Sequence, residues 1–341
     1  MLVLEVLLLA VAAVVGLHGR VQVVSPAAAD AALLGPDFVD IGSVPDGPPA
    51  PVPVAGAATG TYTWDCGRNE EGHRNTANVV VVPGVPGPIH HVHDYVGNTS
   101  TDVNSTIDSL AAGGTTCTNG DKSTYYWPVL RLIPDDHTQH EVAAPLPSGG
   151  AVTGGANGDQ VDPHADEIQV PASVRLTYYG NPRTPVVAMP YLLRGTVGDA
   201  TAITDGGADA VATWTCSDTP RKRTTKYPIC APGTQVLRVF DFPSCWDGRQ
   251  LDSTDHRAQL VFPTAGGGCP VDTFAVPRLQ IVLAYNLPSR VRYRIDAFDG
   301  QNFSPLTDHA FFVNLMPDQV MTRIVRCLNT GEACDARQAR S

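Results

Sequence analysis

Cationic side chains are scarce in this chain: 23 Lys and Arg stand against 34 Asp and Glu, for a formal net charge of −11. That shortage disfavours a nucleic-acid partner, because phosphate binding relies on clustered Lys and Arg. One basic run exists, Arg221-Lys222-Arg223 extended to Lys226, and it reads as a solvated loop, with an anion site as the alternative. Aromatic residues are modest at 7%, whereas 32 Gly and 29 Pro interrupt the chain often. Such punctuation disfavours helical bundles and favours short strands joined by turns. Several familiar chemical signatures are missing: no Gly-x-Ser-x-Gly elbow, no His-Glu-x-x-His helix, no phosphate loop and no dinucleotide fingerprint. No Cys-x-x-Cys pair exists either, which weakens a thiolate metal site.

Long hydrophobic runs are absent as well. Val6–Leu17 is a twelve-residue apolar stretch, short of the ~20 residues needed to span a bilayer. Small residues at Ala27, Ala28 and Ala29 suit peptidase cleavage, so residues 1–29 are expected to be an export signal, with no stable membrane insertion after cleavage. The leading segment departs from the usual signal in carrying Glu5 and no Lys or Arg, which keeps an uncleaved anchor as the alternative.

What is present begins with eight cysteines, an even number in a chain expected to be exported, which favours four disulfides. Pairing sequence neighbours joins Cys216 to Cys230, Cys245 to Cys269 and Cys327 to Cys334, leaving Cys66 for Cys117. Residues 30–60 are rich in Ala, Pro and Gly and read as a tether. From residue 61 to 336 the texture is that of a single β domain. Short β-branched or aromatic runs recur at Val79–Val82, Tyr125–Leu132, Val174–Tyr179, Val211–Thr215, Val236–Phe242, Leu260–Phe262, Leu279–Tyr285, Val291–Ile295 and Ala310–Val313. The fold class expected is mainly β: an antiparallel, jelly-roll-like β-sandwich with long loops, braced by disulfides. Pro277 and Pro288 make Arg278–Tyr285 a candidate edge strand. Two helices are expected. One follows a Ser105-Thr106-Ile107-Asp108 capping box and stops at Gly113-Gly114; the other runs from Pro317 to about Cys327, with Gly331 terminating it. The stretch from Pro147 to Gln160 reads as a flexible loop.

Titratable chemistry concentrates in His90-His91-Val92-His93-Asp94, directly after a Pro/Gly-rich turn. In extended backbone the two-residue period points His91 and His93 to one face. Two neutral imidazoles so placed chelate a transition metal or shuttle protons, and a metal needs at least one further ligand from elsewhere. His309 is the best candidate, with His256 and Asp247 behind it. The plain alternative is one packed histidine and one exposed one. Asp247, in Cys245-Trp246-Asp247-Gly248, is either a turn residue or a general acid or base. In Asp121–Pro128, adjacent aromatics should alternate faces and expose one of Tyr125 and Tyr126. An exposed row of Tyr126 and Trp127 beside Lys122, with His256, would suit a sugar ring; an ordinary half-buried strand is the competing reading.

The ordered series Cys66-Gly67-Arg68-Asn69-Glu70-Glu71-Gly72-His73-Arg74-Asn75, His90–Asn98, Gly114-Thr115-Thr116-Cys117, Asp121–Pro128, Phe242–Gly248, Asp252-Ser253-Thr254-Asp255-His256 and His309–Phe312 resembles the secreted domain of unknown function 1996 of actinomycetes and filamentous fungi. The resemblance covers roughly residues 61–330. It implies an exported, disulfide-bearing domain and carries no settled activity. The family's recurrent histidines correspond to His91, His93 and His309. Gln259 stands where members often have a histidine, and Phe311 where an Asp commonly follows the late histidine.

Three functional readings follow. In the first, the protein acts on or binds extracellular polysaccharide. A glycosidase needs two carboxylates about 5–10 Å apart, for which Asp94 and Asp247 are the nominees, with His309 beside them. In the second, His91, His93 and His309 hold one divalent transition metal. In the third, the protein is a non-enzymatic surface component whose histidines stabilise a loop. The sequence does not decide between enzyme and binder.

Overall fold

The computed structural model describes residues 34–88, 91–133, 168–288 and 291–336, with the backbone alone of the pairing between Val14–Val15 and Val21–Gln22. Most of the apolar N-terminal run, the Ala27–Ala29 region, His90 and the Pro147–Gln160 stretch lie outside those residues.

Two sheets face each other. The larger runs in the order Trp214–Cys216, Val236–Asp241, Arg278–Tyr285, Ser173–Tyr179, Thr61–Trp64, Ala333–Asp335. The smaller runs Arg194–Gly198, His309–Val313, Thr124–Pro128, His93–Gly97, Arg74–Asn75. Neighbours are antiparallel except at one edge, where Ala333–Asp335 runs parallel to Thr61–Trp64. Period-two alternation decides what each strand buries. Leu279, Ile281, Leu283 and Tyr285 point inward from one sheet; Val96, Tyr125, Trp127, Ala310 and Phe312 do so from the other. Rings interlock across the gap, with Trp64 and Tyr125 centroids 6.1 Å apart and Phe242 and Phe312 5.1 Å apart. A buried carboxylate ties the layers: Asp121 accepts from the Trp64 indole at 3.2 Å and the Tyr125 hydroxyl at 2.7 Å.

The mainly β, cystine-braced architecture agrees with the sequence reading, and the four bridges join the expected neighbours: Cys66–Cys117, Cys216–Cys230, Cys245–Cys269 and Cys327–Cys334. Several local expectations differ. Val79–Val82 forms a turn, because the Asn78 side-chain oxygen accepts from the Val80 and Val81 amides. Tyr125–Leu132 divides at Pro128 into two strands of different sheets, the second being Leu130–Ile133. Arg278–Tyr285 is interior rather than an edge strand, since Pro277 precedes it and every residue of Ser173–Tyr179 pairs with it. The first helix is Ile107–Ala112, capped by Thr106 and Ser109, one residue later than expected. Ser105 is diverted to the Ser100 carbonyl. The second helix, Asp318–Thr330, ends on Gly331 in the left-handed conformation as expected.

The largest difference concerns residues 34–60. Phe38–Asp40 pairs in parallel with Tyr227–Ile229, and Leu34, Phe38, Ile41, Ala57 and Ala58 are buried. This stretch packs onto the body instead of hanging free. The basic run supplies part of the attachment: Lys226 donates to the Pro36 carbonyl at 2.8 Å, Lys222 to Gly42 and Val44, and Arg221 pairs with Asp46. Those cations are spent on the protein's own chain.

Candidate metal centre on the small sheet

The outer face of the small sheet carries the histidines. On Thr124–Pro128, Tyr126 lies opposite Tyr95 on one side and Phe311 on the other. Two residues along the strand from Tyr126, Pro128 pairs with His93, and His309 stands two residues before Phe311 on the other neighbour. The His93 and His309 ring centroids come within 5.8 Å. His91 sits two residues before His93, and its ring lies 4.7 Å from His93 and 5.2 Å from His309. Gly198 pairs with His309, and any Cβ there would lie 2.0 Å from the Asp308 carbonyl oxygen. Glycine is needed for the chain to pass this close.

One ring nitrogen of each histidine lies within 4.8 Å of the other two, and all three side chains are buried. The His91 and His309 Nε2 atoms are 3.3 Å apart, a hydrogen bond that an ion ligated by both would replace. Two nitrogens bonded to one tetrahedral ion at about 2.0–2.1 Å stand roughly 3.3–3.4 Å from each other, so this edge already has the right length. His309 Nδ1 lies 2.7 Å from the Thr307 carbonyl. A carbonyl only accepts, so Nδ1 carries the proton and Nε2 presents its lone pair towards His91; a ligating histidine is set by the same outer hydrogen bond. Neither ring nitrogen of His93 has a hydrogen-bond partner, although the residue is buried. The Ala77 carbonyl near it is already taken by the Tyr95 hydroxyl at 2.6 Å. An unpartnered buried polar group is costly unless something completes it.

Electrostatics keep His93 and His309 neutral. Burial pushes the His309 imidazolium down to about 4, against a weaker upward pull from the Thr307 carbonyl. Burial, then the proximity of His309, pushes His93 well below the ordinary histidine value. Neutral imidazole is the form that ligates. Around the cluster stand aromatic walls: Phe298 meets the His91 ring at 3.9 Å, Phe311 lies 5.3 Å from His309, and Tyr126 lies 5.3 Å from His93. The donor set suits Zn, Cu, Ni or Fe, which imidazole favours, over hard oxygen-seeking ions.

The remaining nominated residues are elsewhere. Asp94, next to His93, points to the opposite face, where it is fully buried and accepts from Asn69 Nδ2 at 2.8 Å and Arg74 Nε at 2.7 Å. Burial raises its pKa, with Arg74 the largest opposing influence. A carboxylate so enclosed faces no substrate groove. Asp247 occupies a surface turn, accepting from the Arg249 and Gln250 amides. Tyr126 and Trp127, expected as a sugar-stacking row, have no exposed surface, and Tyr125 is equally enclosed. Both faces of this strand are covered, one by the large sheet and the other by the 77–81 turn, whose Asn78 and Val80 bond the Tyr126 hydroxyl. Lys122 donates to the Ala111 carbonyl at 2.8 Å, near the end of the first helix. His256 is bonded to Asp252, which also pairs with Arg194, in a separate, partly exposed cluster. Gln259 is buried and donates to the Arg194 carbonyl.

Fold and site together define a β-sandwich with a buried three-histidine cluster on one sheet. A family model described as domain of unknown function (DUF1996) matches residues 79–307, more than half of the 341 residues. The chain belongs to that family. No curated protein and no solved structure matches it.

Proposed function

We propose that this is an exported protein that binds one transition-metal ion on His91, His93 and His309. The observation that carries the reading is the convergence of three buried imidazoles, two of them already at the spacing of ligands on one ion. The preset tautomer of His309 and the unpartnered nitrogens of His93 support it. Export is supported by the four cystines and by the short apolar N-terminal run. The polysaccharide reading has less support, because the aromatics nominated for stacking are enclosed and Asp94 is held in an ion pair.

The test is direct. Chelator-stripped protein is titrated with Zn2+ and Cu2+ by calorimetry, and bound metal is counted by mass spectrometry after dialysis. One equivalent per chain is expected. The double variant His91→Ala with His93→Ala should retain the fold and lose at least a hundredfold in affinity. No uptake of either ion by the wild type, or equal uptake by the variant, would refute the proposal.

A further inference from the structure

Two buried ion pairs flank the histidine cluster from opposite ends. Arg131 and Asp296 meet as a fork on a carboxylate, Nε to Oδ1 at 2.6 Å and Nη2 to Oδ2 at 3.0 Å, with both side chains almost wholly enclosed. Arg238 and Asp308 repeat that geometry, Nη2 to Oδ1 at 2.6 Å and Nε to Oδ2 at 3.2 Å, with no exposure on either side. Enclosing opposite charges costs desolvation that their attraction only partly returns, so such a pair is a poor device for stability alone. What the two pairs touch is more informative.

Asp296 Oδ2 accepts the amide of Val92, the residue between His91 and His93, at 3.1 Å. The carbonyl of Val92 accepts from the Val129 amide, and the Val129 carbonyl accepts from the amide of Asp296. Both main-chain groups of Val92 are thereby pinned, and the separation of His91 and His93 is set. At the other end, Asp308 is bonded to His309 through the chain and accepts the Thr213 hydroxyl at 2.6 Å. Arg238 also donates to the carbonyl of Pro128 at 2.8 Å, and Pro128 is the ladder partner of His93. One guanidinium thus holds the chain beside His309 and the strand beside His93.

We infer that the Arg131–Asp296 and Arg238–Asp308 pairs are positioning residues that hold His91, His93 and His309 at ligating distance before an ion arrives. This rests on the metal-binding reading above. Their role lies in affinity: a site already shaped avoids ordering its ligands on binding. Outer groups of this kind typically contribute 10–100-fold to metal affinity.

The experiment compares Zn2+ affinity with metal-free stability in four proteins. The first is the wild type. The second carries Arg238→Met, Asp308→Leu and Thr213→Val together, which removes both charges and the hydroxyl that serves them. The third is Asp296→Asn, a milder change that keeps an amide oxygen for Val92 and removes the charge facing Arg131; it serves if the triple variant fails to fold. The fourth is Tyr125→Phe, which deletes an equally buried hydrogen bond, to Asp121, on the face away from the histidines. Expected is a 10–100-fold rise in the Zn2+ dissociation constant for the folded second or third protein, with the fourth unchanged. Wild-type affinity in those folded variants, or equal weakening by Tyr125→Phe, overturns the inference and leaves the metal-binding reading standing. Failure of the wild type to bind Zn2+ overturns both.

Discussion

Replacing His309 with asparagine should flatten the dependence of stability on acid. In the native protein burial holds the His309 pKa at about 4, whereas an unfolded chain protonates it near 6.5. Between those values the unfolded state carries the extra proton, so stability is intact above about pH 6.5 and falls as the solution is acidified towards pH 4. The gap of about 2.5 pH units corresponds to about 3 kcal/mol at full extent, of which about 2–3 kcal/mol develops between pH 7.5 and 4.5. The introduced amide cannot titrate, yet its nitrogen can still donate to the Thr307 carbonyl. The fixed cost of the substitution therefore cancels when each protein is compared with itself across pH. Asp94, whose pKa burial raises, changes in the opposite sense but is common to both proteins. His93, held low by burial and then by His309, loses the second influence in the variant, which widens the difference. The assay is urea unfolding of metal-free protein at half-unit steps of pH, followed by circular dichroism. Relative to the His309→Asn variant, the wild-type free energy should drop by the stated amount as pH falls. Parallel curves would show that the imidazole is not held neutral by burial, and the electrostatic account of the centre would fall with it.

Two further outcomes concern the frame. Replacing Cys66 and Cys117 by Ser opens a bridge between residues 51 apart in sequence, and the lost constraint on the unfolded chain is worth about 4 kcal/mol. A melting temperature about 10 °C lower is expected by calorimetry, and an unchanged value would contradict it. Gly195→Ala would place a methyl 2.1 Å from Cε1 of the fully buried Phe312. Overpacking of about 1–3 kcal/mol should appear in urea unfolding; a change within about 0.5 kcal/mol would show that the Phe312 ring yields freely.

Much of the frame was legible because local rules govern it. β-branched runs bounded by Gly and Pro became strands at Val236–Asp241 and Arg292–Ile295, and neighbouring cysteines paired. Errors arose where a side chain outbid propensity. Asn78 turned four consecutive valines into a loop, and lysines of a basic run tied down a Pro-rich stretch that composition alone would leave free. Arg131, Arg238 and Asp296 carry no local mark of their role, since the partners that give them meaning are 70 or more residues away.

By itself the sequence determined a β-rich, cystine-braced chain with His91 and His93 two residues apart; of the two, only His93 lies in a strand, and His91 sits in the bend before it. Tertiary structure alone decided that His309, 218 residues from His91, completes the cluster. It also decided that Tyr126 and Trp127 lie inside, and that the face Asp94 takes by alternation is closed over by Asn69 and Arg74. The physical reason is that alternation along one strand names two faces without saying what covers either. Only the order of strands in the sheet, and the layers laid over it, settle which face meets water and which groups meet each other.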